Sequence, residues 1–278
     1  MAAIALLAGC RHPDVARPRA ASSSGTTYTV SAIRYATIAA FPVRALVQGA
    51  DSARRMDIAM MVWLLQGPPG RTVLVDAGFY RDKFVGRWKP ADFVRPSDAV
   101  AAAGVAPDSV TDVVLSHIHW DHMDGLDLFP RARVWLQRAE YEYYVGDLGQ
   151  VLHEGIDAED AAMLFRMRAA GRVELVDGDA REIIPGIAVY TGGRHTWASQ
   201  YVGVRTRAGT VVVASDNAYL YENLERHAPI AQTFDAASNL AAQERMLRLA
   251  SAPRLVVPGH DPAVFERFGG RGAVARIE

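Results

Sequence analysis

The sequence is poor in cysteine: Cys10 stands alone, which excludes an internal disulfide framework and a cysteine-rich metal site. It also lacks any run of the roughly 18 apolar residues that a membrane-spanning helix requires. An excess of charge of one sign is missing too. Thirty basic against thirty-one acidic residues leave a net charge of −1, which argues against nucleic acid or an anionic membrane as the main partner. No block repeats at a fixed period, so any internal symmetry has to be structural. What is there is 278 residues, half of them hydrophobic, enough for one large domain or two small ones with a sizeable core.

Residues 1–10 are apolar and end in Leu7-Ala8-Gly9-Cys10, which resembles the tail of a bacterial lipoprotein signal with Cys10 as the lipid anchor. Arg11 to Gly25 is rich in Pro, Ser, Ala and Arg, as a tether would be. The run is short for a signal and lacks a basic start, which on this reading places the natural start upstream of Met1. The competing reading is a disordered N-terminus with an incidental cysteine. Both leave a single folded domain of residues 26–278. The first predicts a periplasmic or membrane-anchored protein, the second a cytoplasmic one.

Apolar runs bounded by turn residues predict strands over 28–35, 58–65, 72–75, 110–115, 132–136, 173–176, 187–191, 201–204, 210–214 and 254–257. A short helix is predicted over 97–105 with Ser97 or Asp98 as N-cap, a long one from Glu140 to about Ala170, and another over 236–250. The aromatic and Met side chains of 140–170 read as core or, in part, as a lid or apolar wall over a site. Met56, Met60 and Met61 carry the same two readings. His153 has no motif around it.

The stretch Ser116-His117-Ile118-His119-Trp120-Asp121-His122-Met123-Asp124-Gly125 follows the apolar run Val113-Val114-Leu115. Imidazoles and carboxylates are ligands for a borderline divalent metal, and one ion needs only three or four of them. In an extended loop His117 and His119 project the same way, while Asp121 and His122 turn toward a second ion. Three later spots carry the same residue types at strand ends: His195 in Gly192-Gly193-Arg194-His195-Thr196, Asp216 in Ser215-Asp216-Asn217, and His260 in Pro258-Gly259-His260-Asp261.

The spacing H-x-H-x-D-H, with those later residues in this order, resembles the metallo-β-lactamase superfamily of hydrolases. The resemblance implies an α/β fold, a four-layer αββα sandwich, and two divalent cations, with zinc the usual occupant and manganese, cobalt or iron also accepted. It implies that His117, His119 and His195 hold one ion, that Asp121, His122 and His260 hold the other, and that Asp216 bridges them. Asp76, in Asp76-Ala77-Gly78, is implied to lie beneath the metal loop and orient a ligand histidine. Family members that use iron for redox chemistry carry a glutamate where His119 stands, so the histidine favours hydrolysis.

Tyr219, three residues past Asp216 and followed by Glu222-Asn223, resembles the N-acyl-homoserine lactonases within the superfamily, as does Gly125 with Leu126-Asp127-Leu128-Phe129-Pro130. The implied reaction is opening of a small-molecule lactone or ester by a hydroxide between the metals. Tyr219 would steady the oxyanion, and Asp121 or Asp216 would pass the proton; Tyr221 replaces Tyr219 if the register differs. Two departures, Trp197-Ala198-Ser199 after His195 and Asp124 for a common glycine, are placed at the pocket rim. A phosphotriesterase, another ester or β-lactam hydrolase, and a metal-binding module without turnover are the alternatives. Oligomeric state stays open, a homodimer included.

Overall fold

The computed structural model describes residues 25–278; Cys10 and residues 1–24 of the expected tether lie outside them. The strands are β1 (Thr29–Pro42), β2 (Arg55–Gln66), β3 (Thr72–Val75), β4 (Asp112–Val114), β5 (Arg133–Gln137), β6 (Val173–Val176), β7 (Arg181–Ile184), β8 (Ile187–Thr191), β9 (Gln200–Thr206), β10 (Gly209–Ser215), β11 (Val256–Pro258) and β12 (Val274–Arg276). The helices are α1 (Asp82–Trp88), α2 (Pro96–Ala102), α3 (Trp120–Met123), α4 (Arg138–Tyr144), α5 (Ala158–Ala169), α6 (Tyr221–Glu225), α7 (Ala236–Leu249) and α8 (Ala263–Arg267). None of the described helices is long and apolar enough to cross a membrane.

Two mixed sheets result, ordered β12-β1-β2-β3-β4-β5-β6 and β11-β10-β9-β8-β7. The two-residue side-chain period of a strand sorts the first sheet cleanly. Val30, Ala32, Ala59, Met61, Trp63, Leu65, Val73 and Val75 join a core with the second sheet, whereas Ile33, Tyr35, Met60, Val62, Leu64 and Leu74 face a core built with α1, α2, α4 and α5. The second sheet packs its other face on Ala242 and Met246 of α7. Helices outside and sheets inside give the expected α/β sandwich. Burying each large aliphatic side chain stabilises the fold by about 1.5–3 kcal/mol before chain entropy is set against it.

Some sequence expectations change. The helix predicted from Glu140 to Ala170 is two helices. Gly149 adopts φ +79 and its N–H donates to the Gly146 carbonyl, a turn that an L side chain resists, and Asp157 then caps α5 by accepting from Glu159 N–H. Neither Ser97 nor Asp98 is the N-cap of α2. Pro96 takes the first helical position, where its missing N–H costs nothing, so Arg95 becomes the cap residue. The apolar runs did not reveal β7, β12, α1, α3, α6 or α8. β1 is also longer than expected. Its register against β2 shifts between Arg34 and Ala36 and again between Ile38 and Phe41, with Ala40 at φ 51.

Candidate metal centre

The residues that matter leave the C-terminal ends of strands: Asp76 after β3, His117 and His119 after β4, His195 after β8, Asp216 and Tyr219 after β10, His260 after β11. Because β3 pairs with β4 and β10 with β11 in parallel, those ends point the same way and their loops meet over one edge of the sandwich. Asp121 and His122 do not stay on an extended loop; they sit on the single turn α3, which brings the His122 ring against that of His117 with 4.1 Å between centroids. Asp76 (φ 62) and Ser215 (φ 47) both occupy the left-handed region, backbone strain concentrated under the site.

The structure brings the seven side chains into two adjoining groups. Ligand atoms of His117, His119, His195 and Asp216 lie within 4.8 Å of one another, as do those of Asp121, His122 and His260. Asp216 joins them. Its Oδ2 lies 3.3 Å from His195 Nε2 and 3.7 Å from His117 Nε2, while its Oδ1 lies 3.0 Å from His260 Nε2 and 3.3 Å from His122 Nε2. Asp121 Oδ2 faces the second group at 3.5 Å from His122 Nε2 and 3.7 Å from His260 Nε2.

Hydrogen bonds on the outer side of three rings fix which nitrogen faces inward. His195 Nδ1 meets the Gln232 carbonyl at 2.9 Å, and His260 Nδ1 meets the Ala59 carbonyl at 3.1 Å. A carbonyl only accepts, so each Nδ1 carries the proton and each Nε2 offers a lone pair inward. His122 Nδ1 lies 2.8 Å from Asp76 Oδ2 in the same sense. Asp76 also accepts from Ser116 N–H and from the hydroxyls of Ser116 and Ser215, so one buried carboxylate orients the base of both loops.

This donor set fits divalent cations. His119 Nδ1 is 3.1 Å from His117 Nε2 and 2.8 Å from His195 Nε2, so three imidazole nitrogens converge on one point, as the ligands of a single cation do. In the second group His122 Nε2 and Asp216 Oδ1 are buried without a hydrogen-bond partner. Burial and the neighbouring imidazoles lower the pKa of His117 and His119 well below the usual histidine range, which keeps them neutral, the ligating form. For Asp216 burial opposes ionisation, but His122 and His260 outweigh it and hold the carboxyl well below its usual range. Gly259 belongs to the same fit: a Cβ there would lie 2.8 Å from Asp216 Oδ1.

A cavity of about 210 Å³ opens onto the centre. Its polar side is His119, Asp121, Asp216, Tyr219, Gln232 and His260; its apolar side is Ile38, Phe41, Leu46, Ile58, Met60, Trp88 and Trp120. Trp88 and Trp120 stack at 5.4 Å with 6° between their planes, and Phe84 stacks on Trp120 at 5.0 Å. Of the Met residues expected at a wall, Met60 is there; Met61 points into the inter-sheet core and Met56 packs at the edge of the other. The 140–170 segment contributes no lining residue. Tyr141, Tyr144, Met163, Leu164 and Met167 are core.

Tyr219 lines the cavity with its hydroxyl 3.2 Å from His195 Nδ1. Burial, with Asp216 and Asp121 nearby, raises its pKa well above the usual tyrosine value, so the hydroxyl keeps its proton. Tyr221 is not an alternative: it turns into the inter-sheet core under the Arg267 guanidinium, 3.7 Å from the ring centroid. Asp124 is not at the rim either. It is fully buried, accepting from the N–H groups of Tyr80 and Arg81 and pairing with the Arg81 guanidinium. Trp197 is 39% exposed and stacks on Tyr143 at 4.3 Å, outside the cavity. His153, assigned no role, stacks on the other partner of that ladder, Tyr143, at 3.9 Å.

Two residues went unnoticed in the sequence. Glu140 is fully buried between the loops of His117–His119 and His195; its carboxyl is pushed up to about 7 by burial, against the donors that surround it. Tyr35 donates its hydroxyl to the Asp121 carbonyl at 3.3 Å. Neither stands in a motif, and the contacts span 22 to 86 positions.

Comparison with known proteins supplies the wider setting. A family model described as the metallo-beta-lactamase superfamily matches residues 60–260. An N-acyl homoserine lactonase from Bacillus thuringiensis is 27% identical over 161 residues, which span 57% of this chain and 58% of that protein. The structure of an N-acyl homoserine lactone hydrolase, with N-hexanoyl-L-homoserine at its catalytic metal center, superposes with a TM-score of 0.70 at 20% identity, covering 88% of this chain and 97% of that one. AidC, a dizinc quorum-quenching lactonase, superposes with a TM-score of 0.63 at 12% identity, covering 86% and 92%.

Proposed function

Since the chain belongs to the metallo-β-lactamase superfamily, we propose that it is a dinuclear-metal hydrolase that opens lactone rings, with N-acyl-homoserine lactones as its substrate class. The observation that carries this reading is Asp216, whose two oxygens divide between two histidine groups at the end of a half-apolar cavity. The named activity of the relatives supports the choice of lactone over other esters.

His117, His119 and His195 would hold one cation and Asp121, His122 and His260 the other, with Asp216 shared. Zinc is the expected occupant, although nitrogen and oxygen donors without thiolate also suit manganese, cobalt or iron. Bound cations would supply polarisation of the carbonyl and activation of water at neutral pH. The remaining work falls to the chain. The apolar wall of Ile38, Phe41, Trp88 and Trp120 binds the acyl group and excludes water. The Tyr219 hydroxyl donates to the carbonyl oxygen as it gains negative charge. Water adds its oxygen to the carbonyl carbon, the ring C–O bond breaks, and the water proton passes through Asp121 to the departing ring oxygen, leaving a carboxylic acid and an alcohol. Asp121 suits that transfer because its side chain, at 14% exposure, is more open than Asp216 at 5%.

The test is to load the protein with zinc and assay a homoserine lactone beside paraoxon and nitrocefin. Lactone opening in excess of the other two is expected. Turnover of paraoxon alone would make it a phosphotriesterase, of nitrocefin alone a β-lactamase, and none at all a metal-binding module.

A further inference from the structure

Glu140 opens the inward face of α4 and reaches none of the seven clustered side chains, yet its carboxylate joins two of their loops. Oε1 accepts from Ile118 N–H at 3.3 Å and from the Thr196 hydroxyl, and Oε2 accepts from Ala198 N–H at 2.6 Å. Ile118 lies between His117 and His119, and Thr196 follows His195. A backbone bond from Gln200 N–H to the Ser116 carbonyl already pairs the bases of the two loops. Glu140 instead ties their tips, where His119 Nδ1 and His195 Nε2 stand 2.8 Å apart across 76 positions. No hydrogen bond of this carboxylate reaches the Asp216 or His260 loops.

Building on the dinuclear reading, we propose that Glu140 is a positioning residue for the first cation alone. It sets the separation of His119 and His195 and so the affinity of the His117–His119–His195 position. A buried carboxyl group that accepts from both loops holds that spacing more tightly than apolar packing could, because leaving any of the donors unpaired carries a desolvation cost. Residues that orient metal ligands in this way affect affinity by about 10–100-fold.

The experiment is a Co²⁺ titration of the metal-free protein, followed by visible absorption and by calorimetry. Wild type is expected to take two cations. Glu140→Gln keeps the volume but turns an amide N–H₂ toward one of the three donors, and should weaken one cation by about 10–100-fold while the other binds as in wild type. Thr196→Val, which removes one donor at nearly constant shape, should weaken the same position less and serves if Glu140→Gln does not fold. In a His195→Ala background, where that position is already lost, Glu140→Gln should add nothing. Wild-type affinity at both positions in both variants, or parallel loss at both, would overturn the proposal. A wild type that takes fewer than two cations would overturn the dinuclear reading itself, and this proposal with it.

Discussion

A hydroxyl buried beside Asp216 and Asp121 keeps its proton, and that is the state in which Tyr219 can donate. His195 Nδ1 spends its own proton on the Gln232 carbonyl, so the Tyr219 proton is free to turn to the substrate. Tyr219→Phe should therefore lower kcat by about 10²–10³ with the metal content and the melting temperature unchanged; steady-state kinetics beside elemental analysis checks it. Asp76 works differently. It touches no substrate but takes hydrogen bonds from His122, Ser116 and Ser215, so Asp76→Ala should weaken the second cation by about 10–100-fold in a chelator competition. The seven ligand candidates were legible because metal chemistry restricts residue type and four of them fall within six positions. Glu140 was not, because a glutamate in a helical stretch looks like solvated surface until the fold buries it.

Among the elements, α1 and α3 decide what the cavity is, and neither was foreseen. Both are short, and a single turn such as Trp120–Met123 leaves no apolar period to read. The sequence predicted which residues are apolar but not which of them would border empty space, so Trp88 and Trp120 went unnamed while the 140–170 segment drew attention. Trp88→Ala should enlarge the cavity and raise KM for a long-acyl lactone about tenfold, with a smaller change in kcat, as loss of uniform binding does. Arg81 anchors α1 from below. Its guanidinium pairs with Asp124 and Asp160, both fully buried, the latter 2.5 Å away. Arg81→Met strands two carboxylates in the interior and should cost about 3–5 kcal/mol of stability, measured by urea unfolding.

For the whole molecule, the centre lies across the seam of the sandwich. The first sheet contributes His117, His119, Asp121 and His122, and the second contributes His195, Asp216 and His260, so cations would fasten two sheets that otherwise meet through apolar packing and a few hydrogen bonds such as Gln200 N–H to the Ser116 carbonyl. The architecture could be anticipated through the family resemblance that H-x-H-x-D-H and the later ligands carry, because ten expected strands against three expected helices did not by themselves fix the layering. Chelation should lower the melting temperature by about 5–10 °C for each position that was filled at one hundred times its dissociation constant, read by calorimetry with and without EDTA. The most direct measurement is the number of cations the purified chain retains after dialysis against zinc, determined by elemental analysis. Two per chain is the expected result; one or none would contradict the shared role of Asp216.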